Sequence, residues 1–344
     1  MSTFRDEIGQ QPDLARNLIA SSGAALDAIA SAYRERRPAG FVIAARGSSD
    51  HAADYARYLL GNRERALVAL AAPSLFTSYG TPPVLAGQCV IGISQSGASP
   101  DVIAVVEEAA RQGAMTVAIT NDAGSPLAKT AGLVLPLLAG AERSVPASKT
   151  YLLSVLAMAL MSAAFDPDPA FDAAIRAVPD ALAAALERER ELAPIAKALS
   201  GPRAIVLGRG YNLCTAEELA LKLTETSYVL ARAWSVADFL HGPIAVVEPD
   251  FPVLVVGAGG SVAKDVDSIA ARLLEGGCRV VGLLDGPGGA PAAMPAVHLD
   301  SHLPEALTPL PLTVLGQLLA HEVAKARGID PDAPRSLRKI TRTW

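Results

Sequence analysis

Short, continuously apolar runs, each followed by a longer stretch of helical period, recur along this chain, and no other feature constrains its fold as much. Phe41–Ala45, Ala66–Ala71, Cys89–Ile93, Thr116–Ile119 and Leu133–Leu137 alternate with helix-like segments such as Pro100–Gln112. Runs that are apolar at every position suit strands covered on both faces, as in parallel sheets with crossover helices. After a helix-rich stretch from Thr150 to Ser200, broken at Asp166-Pro167-Asp168-Pro169, the pattern restarts with Ala204–Leu207, Val229–Ala233, Val253–Val256, Val280–Leu284 and Ala296–Leu299. The two sets also resemble each other. Ile43-Ala44-Ala45-Arg46-Gly47-Ser48-Ser49 leads into Ala52–Leu60 as Val206-Leu207-Gly208-Arg209-Gly210-Tyr211-Asn212 leads into Thr215–Leu223, with Arg-Gly in register. One strand–turn–helix unit is used twice, which suits 344 residues, too many for one ordinary core.

The expected class is α/β, two doubly wound parallel sheets in tandem. The expected divisions are a helical segment over 1–35, a first α/β domain over 36–165, a helical linker over 166–198, a second domain over 199–329 and a tail over 330–344. Phe4–Ala30 and Leu310–Ala326 have helical spacing, and both ends are expected to pack on the body.

Composition narrows the function. With 51% hydrophobic and 19% charged residues the chain has ample apolar surface to fold. A net charge of −5 gives no general grip on a nucleic-acid backbone. The longest apolar stretch, Leu152–Phe165, is shorter than the roughly 20 residues of a membrane span, and the first twenty residues carry Arg5, Asp6, Glu7, Asp13 and Arg16 where a signal peptide is apolar. Cys89, Cys214 and Cys278 are too scattered for a disulfide framework or a metal cluster, and the five histidines lack ligand spacing. A cytoplasmic protein with neither metal nor cofactor, and with no nucleic-acid or membrane partner, is expected.

The strongest motif is Ser94-Gln95-Ser96-Gly97-Ala98-Ser99, which follows an apolar strand and precedes a helix. Short hydroxyls, a glycine and the N–H groups of a helix N-terminus together suit a phosphate monoester. Helix capping explains Ser99, which precedes Pro100, but not the clustering of Ser94, Gln95 and Ser96. Arg46-Gly47-Ser48-Ser49-Asp50 closes the earlier strand in the same way, so Ser48 and Ser49 are expected to face the same crevice. No GxGxxG follows a strand and no GxxxxGK[ST] occurs, which favours a sugar phosphate over a dinucleotide or nucleoside triphosphate.

Lys222 and Glu225 stand three apart on a predicted helix, and on spacing alone a surface ion pair is the plainer reading. The neighbourhood favours chemistry: Asp238-Phe239-Leu240-His241-Gly242-Pro243 sets an imidazole, which titrates near neutrality, in a Gly-Pro turn.

With these residues in place, the chain resembles the tandem sugar isomerase (SIS) family, and within it the isomerase half of glutamine–fructose-6-phosphate aminotransferases. Eight ordered motifs carry the resemblance: EIGQQP from Glu7, RGSSDHAA from Arg46, SQSGASPD from Ser94, SVPASKT from Ser144, LGRGYN from Leu207, ELALKLTETSY from Glu218, FLHGP from Phe239 and PDAPRSLRKIT from Pro331. The resemblance implies two flavodoxin-like units and a homodimer with active sites shared between protomers. It implies that Ser49, Ser94, Gln95, Ser96 and Ser99 hold the sugar phosphate and that Val145 and Ala147 lie in a sugar-contacting loop. It further implies that Glu225 moves a proton between C1 and C2, that His241 opens the ring, that Lys339 forms a Schiff base with the ketose and that Lys222 supports Glu225. A carboxylate base and an amine electron sink suit that chemistry.

Two departures shape the expected activity. The chain begins Met1-Ser2-Thr3 and its first cysteine is Cys89, so ammonia from a glutaminase domain is not expected. Ala147 replaces the aminotransferase's hydroxyl residue and Pro146 is unusual, opening the loop to a different epimer, while Glu142-Arg143-Ser144 looks more like stand-alone SIS deaminases. The expected reaction converts glucosamine 6-phosphate to fructose 6-phosphate and ammonia. The rivals are a galactosamine-6-phosphate deaminase, a fructosamine-phosphate deglycase, a synthase-like isomerase using free ammonia, and a sugar-phosphate-sensing regulator.

Overall fold

The computed structural model describes residues 2–287, 291, 294–337 and 339. The first sheet comprises β1 (Gly40–Ala44), β2 (Leu67–Leu70), β3 (Cys89–Ser94), β4 (Met115–Thr120) and β5 (Leu133–Pro136). Three helices precede it, α1 (Thr3–Gly9), α2 (Gln11–Ser21) and α3 (Gly23–Arg36), and α4 (Ser48–Arg63), α5 (Ser74–Thr77), α6 (Pro100–Arg111) and α7 (Pro126–Thr130) connect its strands. Then come α8 (Lys149–Phe165), α9 (Pro169–Glu187) and α10 (Ala193–Leu199). The second sheet comprises β6 (Arg203–Gly208), β7 (Leu230–Ser235), β8 (Pro252–Ala258), β9 (Arg279–Asp285) and β10 (Ala296–Leu299), with α11 (Leu213–Ser227), α12 (Val236–Leu240), α13 (Ala263–Glu275) and α14 (Pro309–Ala326).

Every strand pairing is parallel, in the orders β2-β1-β3-β4-β5 and β7-β6-β8-β9-β10. These are one topology twice, as the duplicated motifs lead one to expect, and the order is the flavodoxin-like one that the family resemblance implies. All six residues of β3 and of β4 are buried, which is why these strands read as unbroken apolar runs instead of alternating. Cys89 is among them.

By internal contacts the chain divides into two units, one of Met1–Pro12, Arg143–Ser148 and Ala177–Leu337, the other of Asp13–Glu142, Lys149–Arg176 and Arg338–Trp344. The second-sheet unit packs Leu207, Phe239, Val253, Val255, Val266 and Ile269 into one cluster. In the first-sheet unit Val90, Val102, Val105, Val106 and Leu127 do the same. α8 is apolar on all sides and buried along nearly its full length, as a central helix must be. Each fully buried side chain there, such as Leu153 or Met158, contributes roughly 1.5–3 kcal/mol relative to exposure. α14 holds the same position in its own unit, seated so closely on α11 that any side chain at Gly316 would strike Leu219. The two ends of the second-sheet unit meet: the Asp332 carboxylate accepts the Thr3 N–H at 2.7 Å and the Phe4 N–H at 2.9 Å, capping α1. Of the tail, Arg338 and 340–344 lie outside the described residues.

Candidate active site

Both hydroxyl-rich turns stand at the carboxyl ends of β1 and β3, adjacent strands from which the chain winds in opposite directions. Turns that splay apart at such a switch point leave a crevice, the usual ligand position in an open α/β sheet. Ser48 and Ser49 open α4 after Gly47 at φ +57°, and Ser99 precedes α6 with Pro100 at its first position. Helix N-termini supply N–H donors and partial positive charge there.

The Ser99 hydroxyl makes no cap hydrogen bond; it lies 3.1 Å from Ser94 Oγ. The capping explanation of this serine therefore covers its backbone position but not its side chain. Ser94 is buried, whereas Gln95, Ser96 and Ser99 are half-buried. The turn is locked from behind: the Gln95 carbonyl accepts the Asn121 N–H at 3.1 Å, and the Gly97 carbonyl accepts the Leu127 N–H at 3.0 Å. Gly97 has φ +60° and any Cβ would strike Ser125 and Thr120, so only glycine fits. Arg46 Nε donates to the buried Asp101 carboxylate at 2.5 Å, tying the β1 turn to the start of α6.

The same unit holds Lys339. Its Nζ donates to Glu142 Oε2 at 2.6 Å, and the enclosed Glu142 carboxylate also accepts the Thr150 N–H at 3.0 Å and the Thr150 hydroxyl at 2.8 Å. Sequence reasoning quoted Glu142 but gave it no partner; 197 residues separate it from Lys339, beyond any local periodicity.

The other unit carries the acid–base candidates on α11. Lys222 and Glu225 are not a surface pair. Lys222 is wholly buried between two carboxylates, 2.5 Å from Glu225 Oε2 and 3.4 Å from Glu218 Oε1. The spacings i−4 and i+3 put all three on one helix face. Burial by itself pushes the Lys222 ammonium down in pKa, but the charges and hydrogen bonds of Glu218 and Glu225 leave it above the usual lysine value. Glu218 is equally enclosed, whereas the Glu225 side chain is 23% exposed. Glu218 was legible as the i−4 neighbour of Lys222; its burial was not.

His241 caps α12, its N–H on the Asp238 carbonyl at 3.1 Å, and is exposed, with Gly242 at φ +141° behind it. Val145 and Ala147 are half-buried in the segment Arg143–Ser148 of this unit. At the corresponding end of the second sheet, beyond β8, Glu305 Oε2 accepts the Ser261 N–H at 2.7 Å beside Gly260, so a carboxylate lines that crevice. Glu189, His321 and Glu322 gather within 4.8 Å, a metal-like grouping. Glu189 already receives Arg5 at 2.7 Å and Glu322 receives Lys325 at 2.7 Å, so cationic side chains neutralise the charge a metal ion would need.

Among the described residues no helix is long and apolar enough to cross a membrane. The sequence pattern of the SIS domain matches residues 40–164 and 199–320. A glutamine–fructose-6-phosphate aminotransferase of Bradyrhizobium diazoefficiens is 31% identical over 86% of this chain, and the chain spans 51% of that relative, about half its length. A solved structure of a candidate phosphosugar isomerase from Silicibacter pomeroyi DSS-3 is 34% identical with a TM-score of 0.87, covering 96% of this chain and 100% of its own. The C-terminal domain of glucosamine-fructose-6-phosphate aminotransferase from Francisella tularensis superposes with a TM-score of 0.87 at 23% identity, covering 97% of this chain and 98% of its own, a likeness of fold.

Proposed function

This chain belongs to the SIS domain family, and from that premise we propose that it is an amino-sugar-phosphate isomerase that releases ammonia, acting on glucosamine 6-phosphate. The observation that carries the reading is Glu225. Of the two carboxylates on Lys222, Glu218 is enclosed and Glu225 reaches the surface, where it can meet a sugar carbon. The buried ammonium holds this base in one orientation, 2.5 Å from Lys222 Nζ.

The proposed sequence uses one water. His241 assists ring opening. Glu225 takes the C2 proton of the open-chain aminoaldose, the electron pair passes through an enolamine, and the proton returns at C1. The C2 imine that results is hydrolysed to the ketose, water supplying the oxygen and ammonia leaving. Lys339 Nζ, once it gives up a proton, can replace ammonia on C2 as a Schiff base that water then cleaves. Ser49, Ser94, Gln95, Ser96 and Ser99, together with Ser48, hold the phosphate. Two protomers share sites in this reading: His241 is exposed, and its neighbours in sequence Leu240 and Val246 expose 43% and 52% of their surfaces, as an interface would require.

The test is purified protein with glucosamine, galactosamine and fructosamine 6-phosphates, following ammonia and ketose phosphate. Release from glucosamine 6-phosphate supports the reading. Release from another sugar alone reassigns the substrate, and tight binding without release from any of them makes the chain a sensor.

A further inference from the structure

The motif Glu7–Pro12 has no part in the chemistry above, yet the fold places it against the loop whose residues were assigned to sugar contact. Glu7 is only 3% exposed. Its Oε1 accepts the Arg143 N–H at 2.6 Å, and its Oε2 accepts the Ser144 N–H at 3.3 Å and the Ser144 hydroxyl at 2.5 Å. Four residues later, at the start of α2, Gln11, fully buried, donates from Nε2 to Gln317 Oε1 at 2.6 Å, and Gln317 Nε2 donates to the Ser148 carbonyl at 3.1 Å. The N-terminal segment thus grips both ends of Arg143–Ser148, and all three pieces belong to one unit. Val145 and Ala147, half-buried, stand between the two grips.

A carboxylate is costly to bury unless donors satisfy it, and charge-assisted hydrogen bonds to backbone N–H groups are both strong and directional. Here those donors come from the loop, so the charge on Glu7 defines where the loop backbone lies. Gln11 acts at the far end through a neutral relay. A six-residue loop held at both ends has little freedom to adapt to a differently shaped sugar.

We propose that Glu7 and Gln11 are positioning residues that set the shape of Arg143–Ser148 and thereby select which amino-sugar epimer is accepted; this rests on the reading of that loop as sugar-contacting. Glu7→Gln keeps the shape but turns an amide NH₂ toward the donors of Arg143 or Ser144. It is expected to change the ratio of glucosamine to galactosamine 6-phosphate dissociation constants by about tenfold or more, as repositioned polar groups do. It is also expected to speed amide hydrogen exchange across 143–148, leaving exchange at 46–50 and 94–99 as it was. Gln11→Leu, a milder change, should move the same ratio in the same direction if Glu7→Gln fails to fold. Ala147→Thr in the otherwise unaltered chain tests the loop itself. If Ala147→Thr moves the ratio while both Glu7→Gln and Gln11→Leu weaken the two sugars equally, the clamp is overturned and the loop reading stands. A ratio untouched by Ala147→Thr removes the loop reading and this proposal with it, and binding of neither epimer to the unaltered protein overturns the functional reading on which both depend.

Discussion

The Nζ of Lys222, with no exposed surface, lies 2.5 Å from Oε2 of Glu225, whose side chain remains 23% open. The lysine therefore faces inward and the glutamate outward along one side of α11, and their roles separate by substitution. Lys222→Met leaves Glu218 buried without its ammonium, the situation that costs about 3–5 kcal/mol when one partner of a buried pair is removed. A sharp fall in melting temperature is expected. Glu225→Gln keeps shape and hydrogen bonding and leaves Glu218 to balance the lysine, so the melting temperature should hold while kcat falls roughly 10²–10⁴-fold. Deuterium exchange into C1 of fructose 6-phosphate continuing at the unaltered rate in this variant would refute Glu225 as the base.

Ser94→Ala combined with Ser96→Ala should act on affinity and spare the chemical step. Hydroxyl donors to a phosphate dianion contribute roughly 1.5–3 kcal/mol each, so KM should rise by one to several orders of magnitude. The fold should persist, because the bonds that lock this turn, from the Gln95 and Gly97 carbonyls to Asn121 and Leu127, are made by the backbone. Equal binding of phosphorylated and unphosphorylated glucosamine by the unaltered protein would contradict the assignment.

Glu64, just beyond α4, predicts a pH effect on stability. Burial raises its carboxyl from 4.5 to about 7, against the hydrogen bond that the Ser162 hydroxyl donates to it at 2.7 Å. An acid whose folded pKa lies above its unfolded one favours folding in its protonated form. That contribution is complete below pH 4.5 and is lost as pH rises through about 7. Glu64→Gln, which mimics the protonated group, should melt higher than the unaltered protein at pH 8 and nearly level with it at pH 5. Equal melting curves at pH 8 would show that the carboxylate carries no such penalty.

If protomers share active sites, inactive chains can complement each other. Mixing Ser94→Ala/Ser96→Ala protomers with His241→Ala protomers, after full subunit exchange, should restore part of the turnover. Exchanged heterodimers with none would place the phosphate loops and His241 of each site in one chain.

The strands, their parallel pairing and the two hydroxyl-rich turns were legible in local periodicity, and the duplication in the likeness of two motifs, Arg46-Gly47 and Arg209-Gly210. Six buried positions in a row at β3 and a Gly-containing turn before a helix leave their marks within a dozen residues. Even the spacing of Glu218, Lys222 and Glu225 was legible, since helix geometry puts i−4 and i+3 on one face. Only tertiary structure decided what these residues do for one another. A lysine in a solvated pair and one sealed between two carboxylates have the same spacing; the difference comes from helix α14 packing on α11 so tightly that Gly316 has no room for a side chain. The pairs Glu142–Lys339 and Glu7–Ser144 join residues 197 and 137 apart, and no propensity or period spans such distances. Local rules select backbone conformation, but which charges are buried, and beside which partners, is settled by how the finished elements pack.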